Sequence, residues 1–192
     1  NYSGDTGMHI AKWIWCYKKF HNREEIKKDE SWIAHIYVDA VKRLSKNSLF
    51  EKEVEEINRK LEKKEDRNLN NLWKKTRRIS LESFEKIYSQ LNTKFDVYFF
   101  ESEVESMGKG ISLELQKRGI AELSENAIII NLEKENLGVW VLLRSDGTVL
   151  YSAKDLALTE LKFRKYKIDK AIYVVGAAQR LHVCQLFKAL EI

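Results

Sequence analysis

Apolar residues recur every three or four positions through the first half of the chain, with lysine, arginine and glutamate between them. This spacing places the apolar side chains on one face of a helix and predicts a helical block over residues 6–91. Its helices are expected over residues 6–21, from an N-capping Ser31, around Ile57, and over a longer stretch that ends near Leu91.

After Asn92 the pattern changes to short runs of β-branched and aromatic residues that alternate with helical segments. The strand-like runs are "FDVYFF", "NAIIINL", "VWVLL", "TVLY" and "AIYVVG". The helical segments are "GISLELQKRG", residues 152–166 and "QRLHVCQLFKALE". This alternation predicts an α/β sheet covered on both faces, with a tight turn at "SDG" and a ligand at the carboxyl ends of the strands. The predicted domains are therefore a helical block, residues 1–91, and an α/β part, residues 92–192.

Composition narrows the class of protein. The 192 residues are 44% hydrophobic, which is enough for a sizeable core, and no apolar run is long enough to cross a membrane. Two cysteines and four scattered histidines offer neither a disulfide framework nor a local zinc motif, so no metal site and a reducing, cytoplasmic location are expected. The net charge of +5 favours an anionic partner such as RNA or a nucleotide without specifying one.

Tyr151 and Asp155 lie four residues apart where the run "TVLY" passes into a helix. Residues at this spacing share a helix face, and a carboxylate beside a hydroxyl suits the paired N–H donors of a guanidinium. An alternative is that Ser152 and Asp155 form a variant capping box, in which Asp155 only satisfies the helix start. The local pattern alone favours the capping role.

A second group of candidates follows the run "AIYVVG". Gly176 closes it and would let a ligand approach the backbone, and Gln179 opens the next helix with an amide that could bind a ligand. Gln179 could equally be an ordinary polar residue at a helix start, and His182 on the first turn could be a surface residue. No nucleophile elbow, P-loop or dinucleotide fingerprint is present.

The order of these segments resembles the catalytic core of arginyl-tRNA synthetases, most closely the archaeal and eukaryotic type. The resemblance covers nearly the whole chain, from "NYSGDTG" to "VVGAAQRLHVCQLFKALE", and residues 142–190 carry most of its specificity. It implies a Rossmann-like class I synthetase catalytic core, in part, with a helical insertion.

The resemblance also implies roles for individual residues. Tyr151 and Asp155 would contact the guanidinium of L-arginine, and Gln179 would line the amino-acid pocket. Gly176 and His182 would lie close to the nucleotide. No catalytic residue and no metal ligand is expected in this chain. The family commonly has an acidic or polar residue where this sequence has alanine, directly before the glutamine, so one hydrogen bond near the pocket is expected to be missing.

The implied activity is the activation of L-arginine with ATP, with Mg²⁺ accompanying the nucleotide, and transfer of arginine to tRNA(Arg). The sequence contains neither a HIGH-type nor a KMSKS-type motif, so we expect a piece of a longer enzyme that cannot activate arginine by itself. No oligomeric state is predicted. An alternative is an inactive synthetase-like module that binds arginine, RNA or another synthetase, with Lys74, Lys75, Arg77 and Arg78 as its basic surface.

Overall fold

The structure, a computed structural model, describes residues 1–192 and divides into two compact units, Asn1–Phe99 and Phe100–Ile192. The expected boundary after residue 91 coincides with the end of the last helix of unit 1, but this unit continues to Phe99. No helix in either unit combines the length and the apolar character needed to cross a bilayer.

Unit 1 is built from helices, as its periodicity predicts. The helices are α1 (Met8–Phe20), α2 (Glu30–Lys46), α3 (Leu49–Glu62) and α4 (Arg67–Gln90). A short strand, β1 (Tyr2–Ser3), pairs with β2 (Phe99–Phe100), where the Phe99 amide donates to the Asn1 carbonyl at 2.9 Å. The core of the unit surrounds α1 and also contains Val54 of α3 and Leu69 of α4. Ile14 and Ile36 are fully buried in it, and Trp13 packs edge-on against Trp32.

The start of α2 differs from the sequence prediction. The N-cap is Asp29, whose carboxylate accepts a hydrogen bond from the Ser31 amide at 3.1 Å, so the expectation of a Ser31 cap is wrong. Both residue types cap helices well, but a carboxylate also interacts favourably with the positive end of the helix dipole. With this cap the helix starts at Glu30, two residues earlier than with a Ser31 cap.

Unit 2 combines a three-stranded antiparallel sheet with three helices. The strands, in sheet order, are β3 (Glu122–Ser124), β4 (Ala127–Leu132) and β5 (Gly138–Leu143). The helices are α5 (Glu101–Lys117), α6 (Tyr151–Tyr166) and α7 (Arg180–Glu191). The strands predicted from "NAIIINL" and "VWVLL" are confirmed as β4 and β5, and the turn at "SDG" is closed by a hydrogen bond from the Arg144 amide to the Thr148 carbonyl.

Three strand predictions fail wholly or in part. The run "AIYVVG", residues 171–176, pairs with no strand, and Ile172 and Val174 are 78% and 94% exposed. An apolar β-branched run favours extended backbone, but a strand exists only where a neighbour supplies the ladder of hydrogen bonds. "TVLY" contributes one bridge, between Leu143 and Val149, before α6 begins. In "FDVYFF" only the last two residues form a strand, β2, and α5 starts directly after them.

Helix α6 is fixed in unit 2 by its contact with α5. Gly108 of α5 lies so close to α6 that a Cβ atom there would be 2.9 Å from the Ala153 carbonyl oxygen. The neighbouring Lys154 is 8% exposed, and its ammonium lies 3.1 Å from the Glu101 carboxylate and 3.8 Å from the Glu105 carboxylate. These contacts set the position of the first turn of α6, which carries the candidate site.

Candidate functional site

The first turn of α6 is not closed by a capping box. Its N-cap is Leu150, which makes no side-chain capping bond, and the Ser152 hydroxyl donates instead to the Val141 carbonyl of β5. The Asp155 carboxylate points to α7, where it is bonded to His182. The interpretation of Asp155 as a helix cap is therefore wrong, and its side chain is available for another role.

Asp155 and His182 form a close hydrogen bond between two helices. His182 Nε2 lies 2.6 Å from Asp155 Oδ2, and the two side chains are only 16% and 20% exposed. On the other side of the imidazole ring, the indole Nε1 of Trp140 lies 3.2 Å from His182 Nδ1. An indole N–H can only donate, so Nδ1 accepts, and the ring proton lies on Nε2 and is donated to Asp155.

Tyr151 joins the same group. Its ring meets the His182 ring edge to face, with centroids 4.6 Å apart, and the residue is 57% exposed. Tyr151 and Asp155, one helical turn apart, therefore both contact His182. The structure brings together three of the five candidate residues, and their roles toward a ligand stay predictions.

Further residues around Asp155 were not found from the sequence. Thr159, one turn along α6, donates to the Asp155 carbonyl at 2.8 Å and shares a hydrogen bond of 2.6 Å with the Tyr173 hydroxyl. The ammonium of Lys162 lies over the Tyr173 ring, 4.7 Å from its centroid. Burial lowers the pKa of Lys162, and the negative charge of Asp155 opposes this shift. The sequence signal is the spacing of Asp155, Thr159 and Lys162 along one face of α6.

Gly176 and Gln179 lie just before α7 and are exposed. The backbone N–H of Gln179 donates to the Gly176 carbonyl at 2.9 Å, which closes a short 3-10 turn over Ala177–Gln179. Gln179 is the N-cap residue of α7, but its side chain makes no capping bond. The side-chain amide of Gln179 is therefore not used to cap the helix. Gln179 lies one turn before His182.

Comparison with known proteins identifies the family. The family model described as tRNA synthetases class I (R), catalytic domain, matches residues 1–192. The chain belongs to this arginyl-tRNA synthetase family. It is 39% identical over 204 residues to an arginine–tRNA ligase of Bdellovibrio bacteriovorus, covering all of this chain and 34% of that protein. It is 34% identical over 193 residues to an arginine–tRNA ligase of Clostridium acetobutylicum, again covering all of this chain and 34% of the relative.

The relatives of this arginyl-tRNA synthetase family member bear on two expectations, that the chain is a piece of a longer enzyme and that it is most like the archaeal and eukaryotic type. The chain spans about a third of the length of the curated relatives it matches. Both relatives named here are bacterial, so the likeness is not confined to the archaeal and eukaryotic enzymes.

A solved structure supports the fold. The crystal structure of arginyl-tRNA synthetase from Plasmodium falciparum has a TM-score of 0.78 to this chain at 22% identity, covering 97% of this chain and 31% of that one. The predicted fold class, a partial class I synthetase catalytic core, is thus confirmed, although the sheet of unit 2 is antiparallel.

One group of potential metal ligands in this arginyl-tRNA synthetase domain lies in unit 1. The donor atoms of Cys16, His21 and Asp39 lie within 4.8 Å of one another. Asp39 Oδ2, however, already accepts from His21 Nε2 at 2.9 Å and from Arg43 Nε at 2.8 Å. Burial and the neighbouring Asp39 raise the pKa of the Cys16 thiol to about 12. A protonated thiol and a guanidinium on the shared carboxylate do not fit a cation site, and Mg²⁺ prefers oxygen ligands. The group is a hydrogen-bonded link between α1 and α2.

Proposed function

We propose that this chain provides the arginine-binding part of an arginine–tRNA ligase. The enzyme would join L-arginine to ATP, with Mg²⁺ on the nucleotide phosphates, and then transfer arginine to tRNA(Arg). Family membership supports this function. Catalysis would depend on positioning the reactants and on stabilising phosphate charge, so no side chain of this chain is assigned as a catalytic residue.

The observation that carries the proposal is the environment of Asp155. Its carboxylate is largely buried, and its hydrogen-bond partner is the neutral His182 ring rather than a lysine or arginine. A carboxylate withdrawn from water is costly unless a cation or several donors compensate it. This environment therefore suits a cationic ligand that arrives from outside.

The ligand side chain that fits best is a guanidinium. It offers parallel N–H donors, which can reach the free oxygen Oδ1 of Asp155 and the hydroxyl of Tyr151 on the same helix face. Gln179, whose side chain is not used as a cap, would bind the backbone groups of the amino acid. Gly176 and His182 are proposed to lie near the nucleotide.

The test is calorimetric titration of the chain with L-arginine. Asp155→Asn keeps the shape of the side chain and removes its charge, and we expect it to weaken arginine binding by about 10- to 100-fold, the loss typical of a charged hydrogen bond. Glu160→Gln is the matched control, because this exposed carboxylate on the same helix pairs only with Arg164. An Asp155→Asn variant that binds arginine like wild type would refute the proposal.

The alternative of an RNA-binding helical surface receives less support. Of the four basic residues in its cluster, Arg77 is bonded to Asp5 and Arg78 lies 3.6 Å from the Glu82 carboxylate. Two of the four charges are therefore compensated locally, which leaves Lys74 and Lys75 as the main contribution to the field. RNA binding that weakens steeply with salt, and that a double lysine-to-glutamine variant abolishes, would favour this alternative.

A further inference from the structure

The imidazole of His182 is held on three sides by residues from two elements. Trp140 of β5 donates to Nδ1, and Asp155 of α6 accepts from Nε2. The Tyr151 ring packs against the imidazole ring in an edge-to-face arrangement. Trp140 is 3% exposed, so its indole N–H has a fixed position inside the core of unit 2. Because both ring nitrogens are used, the orientation and the tautomer of His182 are determined by the protein itself.

From this geometry we propose that Trp140 and His182 are positioning residues for arginine recognition. The inference rests on the proposed function and extends it. Trp140 keeps the proton of His182 on Nε2, and that N–H fixes Oδ2 of Asp155. The second oxygen, Oδ1, is thereby presented to a guanidinium in one orientation.

The neutrality of the ring matters as much as its orientation. A doubly protonated imidazole would place an N–H against the Trp140 N–H, so the observed contacts require the neutral form. A lysine or arginine in place of His182 would also orient Asp155, but it would cancel the charge that attracts the ligand. The neutral donor orients the carboxylate and leaves its negative charge for the substrate.

Tyr151 is affected by the same arrangement. Its ring contacts the His182 ring at a centroid distance of 4.6 Å, so the direction of its phenol depends on where the imidazole lies. One imidazole therefore sets the relative positions of both proposed guanidinium partners. Rigid positioning of this kind lowers the cost of ordering the site when the ligand binds.

The experiment compares two amide replacements of His182. In His182→Gln the amide nitrogen lies at about the place of Nε2 and can still donate to Asp155, whereas in His182→Asn it lies near Nδ1 and cannot. We expect the Gln variant to bind L-arginine within about threefold of wild type and the Asn variant to bind at least about tenfold more weakly, the typical effect of one hydrogen bond to a charged group. Thermal melts of both variants check that stability does not explain the difference.

A second measurement reads the tautomer without any ligand. In wild type, ¹⁵N chemical shifts of His182 should show the proton on Nε2. In Trp140→Phe the Nδ1 atom loses the indole N–H that faces it and can take up a proton, so its ¹⁵N shift should change and arginine binding should weaken. Trp15→Phe is the matched control, because the Trp15 indole N–H is bonded to Glu53 at 2.7 Å in unit 1 and should leave both readouts unchanged.

Three results would overturn the inference. The Gln and Asn variants could bind arginine with equal affinity, whether like wild type or more weakly, and His182 would then not position Asp155. A proton on Nδ1 in wild type would remove the role of Trp140. If wild type binds no arginine while the Nε2 tautomer is observed, the proposed function fails, and the positioning role fails with it.

Discussion

The contact between α5 and α6 leads to a prediction about two glycines of the same helix. Gly108→Ala places a Cβ atom 2.9 Å from the Ala153 carbonyl oxygen and 3.2 Å from the Lys154 amide nitrogen, both of them backbone atoms that cannot rotate away. Gly110→Ala meets nothing within 4 Å. Both changes bring the same gain in helix propensity, about 0.8–1 kcal/mol. Only Gly108→Ala must also separate the two helices.

The two variants should therefore change stability in opposite directions. Overpacking of this kind typically costs about 1–3 kcal/mol, which outweighs the propensity gain, so the free energy of unfolding should fall by up to about 2 kcal/mol in Gly108→Ala. It should rise by about 0.5–1 kcal/mol in Gly110→Ala. Urea unfolding with linear extrapolation resolves such differences. If both variants are stabilised alike, the helices are not in the close contact described here.

Three further predictions concern charge and the site. Burial opposes protonation of His21, but the hydrogen bonds that its ring donates to the Asp39 and Glu24 carboxylates outweigh burial and raise its pKa. The stabilisation is therefore present below about pH 6.5 and is lost as the pH rises through the folded-state pKa. A His21→Asn variant should lack this pH dependence in thermal melts, and an unchanged profile would count against the link between α1 and α2. Lys154→Met leaves the Glu101 and Glu105 carboxylates without the ammonium and should lower the free energy of unfolding by about 1–3 kcal/mol. Adding Glu101→Gln should recover part of this loss of stability. No recovery would contradict the ion pair between Lys154 and Glu101. Tyr151→Phe should weaken arginine binding by about three- to tenfold with an unchanged melting temperature, because the residue is 57% exposed; equal affinity would exclude its hydroxyl from the site.

The helices could be predicted from the sequence because each presents an apolar stripe at helical spacing. Helix starts were less predictable, since Asp29 and Ser31 are both good caps and only the structure shows which one accepts the hydrogen bond. The run "AIYVVG" has the composition of a buried strand, yet it pairs with none, because strand formation depends on a partner that a local pattern does not contain.

The sequence indicated candidate residues for the site but not the contacts between them. The spacing of Tyr151 and Asp155 indicated a shared helix face, but the local pattern, with Ser152 nearby, favoured a capping box. The Asp155 carboxylate is instead bonded to His182, far along the chain, which excludes the capping role. The tautomer of His182 depends in turn on Trp140, which lies in another element. Contacts between such distant residues leave no signal in the spacing of any one segment.

Recognition of a guanidinium by the Asp155 carboxylate can be tested by comparing L-arginine with citrulline. Citrulline has nearly the same shape but a neutral urea group in place of the guanidinium. Titration of the wild-type chain should show arginine binding at least about tenfold tighter than citrulline, as expected when a charged hydrogen bond is replaced by a neutral one. Equal affinity for the two ligands, or no binding of arginine, would show that Asp155 does not recognise a guanidinium.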